Sequence, residues 1–258
     1  MLVRNKLKEK INKGEAVIGT WNTLSSPLVT EVLAQSGLDF QIIDLEHGPY
    51  AMDQVHLHVS SCEGSQCTPL VRIPENSDWM ALQVLDQGAY GVVVPHIESL
   101  DDAKALAEAT KYYPKGSRGF TPFSKAGGYS DDSISEYVDK AIYETLNIVI
   151  IESKKGLENL EEILKVDAID VVYFGAYDLS QALGFPGDMQ HPSLIQEIQQ
   201  GIDLVNNADK YAGGFVPKNK EDVQKMLNMG MRFITYEVDS SLIHKSFNSI
   251  SSWFSEIK

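Results

Sequence analysis

FQIIDLEHGPYAMDQVHLHVSSCEGSQCTPLVRIPENSDWMALQVLDQGAYGVVVP, residues 40–95, is the stretch on which the fold turns. Three short β-rich runs stand in it, FQIIDLE (40–46), PLVRI (69–73) and GVVVP (91–95). Between the second and third, Ala81, Leu82 and Leu85 recur at helical spacing and stop at Gly88; a glycine just past a periodic run is a helix stop. The runs are continuously apolar rather than alternating, the pattern of parallel strands covered on both faces.

The same unit repeats outward in both directions. AVIGTW (16–21) precedes it, with Val29, Val32 and Leu33 closing at Gly37, and NIVIIE (147–152), DVVYFG (170–175), YAGGFV (211–216) and RFITYE (232–237) follow. Eight strand and helix pairs without a Pro, Ser or Gly-rich linker predict one domain over 1–258, a single (β/α)8 TIM barrel with an additional C-terminal helix over 242–257. An open doubly wound sheet is the alternative. A dinucleotide fold is disfavoured, because TWNTLSSP after the first run lacks a glycine fingerprint and no GxxxxGK[ST] loop occurs. The long irregular stretch from Tyr112 to about Ser135 reads as an active-site cover or a subunit contact.

Charge narrows the partners. With 22 Lys and Arg against 36 Asp and Glu, the net charge is −14, which disfavours nucleic acid and anionic membranes. No window approaches the roughly 18 apolar residues of a membrane span, and the polar start predicts a cytoplasmic protein. Cys62 and Cys67 read as reduced thiols.

Barrels of this type keep their chemistry at the carboxyl ends of the strands. The second run ends in Asp44, followed by Glu46 and His47; the third ends near Arg72, the fifth in Glu152, and the sixth passes through Gly175 to Asp178. Glu152 and Asp178 are oxygen ligands suited to a hard divalent cation such as Mg2+ or Mn2+. Equally, Glu152 could pair with Lys154 or Lys155 and Asp178 could cap the helix DLSQAL. Asp44 and His47 resemble a carboxylate-oriented base, or else a turn residue and a loop histidine. Arg72 needs a carboxylate or an anionic ligand; Asp86 is one structural partner, and stabilising an enolate is the functional alternative. His56, His58, His96, His191 and His244 lack a partner pattern and read as structural.

Five strings carry a resemblance: residues 18–49, QVLDQGAYGVVVP (83–95), YPKGSRG (113–119), IIESKKGLENLEEI (150–163) and YFGAYDLSQALGFPGD with HP (173–192). In order and spacing the chain resembles the HpcH/HpaI family of class II metal-dependent aldolases. The resemblance implies cleavage of a 4-hydroxy-2-oxo (2-oxo-3-deoxy) acid to pyruvate and an aldehyde, and the reverse condensation. It implies Glu152 and Asp178 as ligands of a divalent cation, Mg2+ or Mn2+ with Co2+ an alternative, and His47, oriented by Asp44, as the group that handles the substrate hydroxyl proton. Arg72 would stabilise the enolate, and Trp21, Gly175, Ala176 and Tyr177 would line the substrate pocket. A homo-oligomer, hexameric by preference, is also implied, with exchanged C-terminal helices; packing of that helix on its own barrel is the other reading.

Four positions depart from the family pattern: Ile150 where Gln is usual, Ala176 and Tyr177 where Pro and Ala are common, and Glu237 where Gly is common. They imply an altered acceptor pocket. They also motivate a barrel that binds an oxo acid without turnover. A citrate-lyase-like acyl-CoA lyase is a separate alternative, disfavoured because the acidic chain shows no cationic groove for the CoA phosphates.

Overall fold

Strands form where the apolar runs predict them. A computed structural model describes residues 4–130, 134–216 and 219–258. The strands are β1 (Val17–Asn22), β2 (Phe40–Asp44), β3 (Thr68–Arg72), β4 (Gly91–Val94), β5 (Leu146–Ile151), β6 (Val171–Phe174), β7 (Tyr211–Val216) and β8 (Phe233–Val238). All neighbours pair in parallel, and β1 meets β8 to close an eight-stranded barrel. The open-sheet alternative is thereby excluded.

The helices begin with α1 (Lys6–Asn12), α2 (Pro27–Ala34), α3 (Val55–Ser61), α4 (Asp78–Asp86) and α5 (Leu100–Thr110). They continue with α6 (Ile134–Glu144), α7 (Lys154–Glu158), α8 (Leu160–Ile163), α9 (Ala176–Ala182), α10 (Pro192–Asn207), α11 (Lys220–Met229) and α12 (Asp239–Glu256). Several start on side-chain caps: Ser77 accepts from Met80, Ser99 from Asp102, Ser153 from Gly156 and Asn219 from Asp222, each satisfying a first-turn amide.

The continuous apolar runs divide by parity into two cores. Ile43, Val71, Val92, Val149, Val172 and Ile234 face the helices. Phe40, Ile42, Leu70, Val93, Ile148 and Phe233 fill the barrel, with Phe40 stacked on Phe233 at 4.1 Å between centroids. Because side chains alternate along a strand, the inward set carries straight on to the strand ends.

Two expectations about the periphery change. The segment after α5 packs at the barrel's amino-terminal end: Arg118 pairs with Asp86 at the end of α4 (2.6 Å) and stacks over Tyr112, and Lys125 reaches Ser60 of α3. It therefore does not cover its own barrel's mouth; residues 131–133 of that stretch lie outside the described residues. Helix α12, in turn, buries only Asp239, leaving Phe247, Trp253 and Ile257 exposed. The reading in which its apolar stripe packs on its own barrel is overturned, because residues 242–258 are all exposed.

Candidate active site

Parity delivers the site. In β2 the inward residues Phe40 and Ile42 are followed by Asp44; in β3 Leu70 is followed by Arg72; in β5 Ile148 and Ile150 are followed by Glu152. Asp44, Arg72 and Glu152 are 2%, 8% and 8% exposed, so each polar group sits at the barrel mouth above an apolar floor. Ile150 belongs to that floor.

Arg72 is held on three sides. Its Nε donates to Asp44 Oδ1 (2.8 Å) and its Nη2 to Asp44 Oδ2 (2.5 Å), a two-point pairing, while Nη1 lies 2.8 Å from Glu46 Oε2. Its guanidinium carbon stands 4.4 Å from the centroid of the Trp21 ring. Burial opposes the Arg72 charge, but the hydrogen bonds to Asp44 and the fields of Asp44, Glu46 and Tyr173 prevail and hold the group above its ordinary range. Asp44 and Arg72 are register partners across β2 and β3. The partner of Arg72 is thus Asp44 rather than Asp86, which Arg118 takes.

This pairing revises the expected base. Asp44 Oδ1 accepts the backbone N–H of Glu46 and of His47 (3.1 Å each). It fixes the His47 main chain and not the imidazole, which is exposed and makes no hydrogen bond among the described residues. Beneath, Trp21 Nε1 donates to Tyr173 Oη and Thr235 Oγ1 (3.1 Å each), and Tyr173 and Thr235 share a 2.6 Å contact. Burial pushes the Tyr173 phenol up to about 12, against the hydrogen bonds of Thr235 and Trp21 and the Arg72 charge, so it stays protonated.

Glu152 forms the other half. Its Oε1 accepts the His96 backbone N–H (2.8 Å) and lies 2.8 Å from His96 Nδ1. Its Oε2 faces β6, where a Cβ added at Gly175 would stand 3.0 Å from it and 2.8 Å from Glu152 Cβ. Gly175 therefore supplies a cradle that any side chain would fill. Burial raises the Glu152 carboxyl above the usual range against the His96 amide and ring, and Asp178 and Glu46 push the same way. Asp178 is exposed at the start of α9, which no side chain caps. The Gly175 amide is committed to Ile151 O (3.0 Å), so the amides that could meet a ligand start at Ala176.

These residues fit a divalent cation. Glu152 Oε2 faces Gly175 and Asp178 lies three residues on in the first turn of α9; both offer hard oxygen donors, and Mg2+-type sites use one or two carboxylates plus waters and substrate. No group of three His, Cys, Asp or Glu side chains among the described residues is gathered tightly enough to hold a metal by itself. On the rim, the Tyr177 and Phe215 rings lie 6.0 Å apart, with Tyr177 half exposed. Glu237 is buried in left-handed backbone (φ 57°) and pairs with Lys245 of α12; a glycine would adopt that conformation without strain.

From the sequence, Glu46 stood at a strand end without a role and His96 read as structural. Each lies two residues past a strand end, and the strand-end test applied to GVVVP would have flagged His96. A cavity of about 630 Å3 lies elsewhere, among Lys6, Cys62, Cys67, Pro69 and Tyr90 at the amino-terminal ends of β3 and β4, and none of the mouth residues lines it.

The sequence pattern of the HpcH/HpaI aldolase/citrate lyase family matches residues 17–246. The chain belongs to that family. The HpcH/HpaI chain is 31% identical over 249 residues to a hydroxypyruvate/pyruvate aldolase of Roseobacter denitrificans, covering 96% of each. It is 34% identical over 241 residues to a 2-keto-3-deoxy-L-rhamnonate aldolase of Shigella sonnei, covering 93% of this chain and 90% of that one. The crystal structure of an HpcH/HpaI aldolase from Desulfitobacterium hafniense superposes with a TM-score of 0.92 at 26% identity, over 97% of this chain and 96% of that one. With these relatives the protein is an aldolase-type carbon–carbon lyase.

Proposed function

We propose that the protein is a divalent-metal-dependent aldolase that cleaves a 4-hydroxy-2-oxo (2-oxo-3-deoxy) acid to pyruvate and an aldehyde, and runs the reverse condensation. The observation that carries the reading is Glu152, a buried carboxylate with one oxygen gripped by His96 and the other turned to the Gly175 cradle beside Asp178. Glu152 and Asp178 would hold the cation, Mg2+ or Mn2+ with Co2+ an alternative. When bound, it supplies Lewis-acid polarisation of the 2-oxo group.

The chain's own residues do the rest. In the cleavage direction the C3–C4 bond breaks, the C4 hydroxyl gives up its proton, and the bonding pair passes into the enolate of pyruvate. His47, an exposed imidazole whose main chain Asp44 pins, would take that proton. Arg72, fixed by Asp44 and Trp21, presents positive charge to the developing enolate. C3 then takes a proton and pyruvate leaves. Trp21 closes the floor, the turn amides from Ala176 onward would receive the carboxylate, and Tyr177 with Phe215 borders the aldehyde side.

The experiment is a metal-replete assay of pyruvate against a panel of aldehydes, read by product mass. Activity abolished by chelator and restored by Mg2+ or Mn2+ is the expected result; release of pyruvate indifferent to chelator refutes the reading. Pyruvate binding without turnover would favour the non-catalytic barrel instead.

Assembly belongs to the same reading. An apolar stripe on α12 that its own barrel leaves exposed suits exchange onto a second copy within a homo-oligomer, hexameric by preference. Light scattering of the full chain should report an oligomer that removal of residues 241–258 dissolves, and a monomeric full chain overturns the claim. The two free, buried thiols suit a reducing cytoplasmic setting.

A further inference from the structure

His96 stands at the end of β4 in a backbone conformation that nothing in the strand requires. Its φ is 55°, the left-handed region that non-glycine residues rarely adopt and that persists where surroundings impose it. The turn has one visible result. It brings the His96 backbone N–H and ring Nδ1 onto the same atom, Glu152 Oε1, at 2.8 Å each. Nε2 lies 3.6 Å from Glu46 Oε1, too far for a hydrogen bond, so the ring is anchored through Nδ1 and otherwise open to solvent.

A carboxylate oxygen with two donors is occupied, and its twin is thereby assigned a direction. Glu152 Oε2 points to the Gly175 cradle, 3.0 Å from where a Cβ would stand, and Asp178 follows on the same turn. We infer that His96 is a positioning residue of the metal site: its paired donors hold Glu152 Oε1 so that Oε2 alone meets the cation. The inference rests on the reading of Glu152 and Asp178 as the cation's ligands. It gives the left-handed backbone a purpose, because an extended residue could not aim its amide and its ring at one oxygen together. Groups that orient a ligand in this way typically carry 10–100-fold of metal affinity.

A direct ligand role is the competing geometry, since two donors 2.8 Å apart could also share one ion at about 2.0–2.2 Å from each. The test separates the two. Mn2+ and Mg2+ affinities are measured by calorimetry on the full chain, with free Mn2+ also counted by its EPR signal, for wild type, His96→Gly and His96→Asn. Glycine accepts a positive φ without strain and keeps the amide but loses the ring; asparagine tolerates the same backbone and carries a side-chain N–H in place of Nδ1.

His96→Gly should weaken both metals alike by about 10–100-fold, with circular dichroism unchanged, and His96→Asn should recover to within about threefold of wild type. Pulsed EPR of the Mn2+-loaded wild type should show no directly bound imidazole nitrogen. The inference falls if His96→Gly binds both metals as wild type does, if His96→Asn is as weak as His96→Gly, or if the wild-type spectrum shows a ligated nitrogen. A wild type that binds neither metal overturns the underlying ligand reading and this inference with it; normal wild-type binding with an indifferent His96→Gly overturns this inference alone.

Discussion

Replacing Arg72 by alanine separates what the arginine does for the fold from what it does for chemistry. Its partner Asp44 is 2% exposed and is paired at two points, 2.8 and 2.5 Å. Removing the guanidinium leaves a buried carboxylate with only the Glu46 and His47 amides (3.1 Å each). Breaking a buried pair from one side costs about 3–5 kcal/mol. For a chain of this size each kcal/mol moves Tm by about 2–4 °C, so Arg72→Ala should melt about 6–20 °C below wild type. Asp44→Asn/Arg72→Met removes both charges and should return to within about 2 kcal/mol of wild type. Urea denaturation of wild type, Asp44→Asn, Arg72→Met and the double variant, at one protein concentration, gives the coupling energy, expected at about 2 kcal/mol or more. Both Arg72 variants should be inactive. An Arg72→Ala protein destabilised by less than about 1 kcal/mol, or strictly additive single variants, would refute the reasoning.

Gly175→Ala places a Cβ 2.8 Å from Glu152 Cβ and 3.2 Å from Ile150 Cγ2, so it should cost about 1–3 kcal/mol in urea unfolding and weaken Mn2+ binding by displacing Glu152; unaltered Mn2+ affinity would count against the cradle. Tyr177→Ala opens the rim beside Phe215 and should shift the order of accepted aldehydes in the condensation assay while leaving KM for pyruvate within about twofold, as expected for loss of uniform contact with one partner only. Lys111, held by Ile142 O and Thr145 O (3.0 and 3.1 Å), is pushed down to about 8 by burial, with Lys8 and Arg118 adding to the effect. Between that value and the unfolded one near 10.5 the unfolded chain binds the extra proton, so this group's contribution makes stability rise with pH across the window, by about 3 kcal/mol in total. Measured against Lys111→Met over pH 7.5–10.5, a difference that stays flat or falls would contradict the assignment.

The barrel was legible because each strand is a separate apolar run with its own helix and stop signal, so element order alone implied closure. The mouth residues were legible for a related reason: a polar residue that ends an apolar run, two positions beyond an inward side chain, has to emerge at the rim. What escaped is set by relations between strands. Arg72 faces Asp44 because β2 and β3 pair in register, which no spacing within either run reveals, and so Asp86 stood as its structural partner. His96 escaped because its role depends on a single positive φ. The α12 stripe showed that an apolar face must be covered but not by what.

The charges gathered at the mouth supply an argument that no single residue does. Asp44, Glu46, Glu152 and Asp178 bring four carboxylates to one rim, and Arg72 answers two of them, Asp44 and Glu46. His96 meets Glu152, and burial, with the fields of Asp178 and Glu46 adding to it, holds the Glu152 carboxyl above its usual range. An oxo acid is itself an anion, and approaching this rim it would meet fields of its own sign in a partly desolvated site, where they are felt more strongly than in water. A divalent cation held by Glu152 and Asp178, as proposed above, would reverse that sign for the incoming substrate. The same placement leaves Arg72 committed to Asp44 and able to answer charge only as it develops on the enolate, so binding and bond cleavage draw on different cations. Loss of the cation should therefore abolish pyruvate binding outright, whereas loss of Arg72 should leave binding measurable and remove turnover.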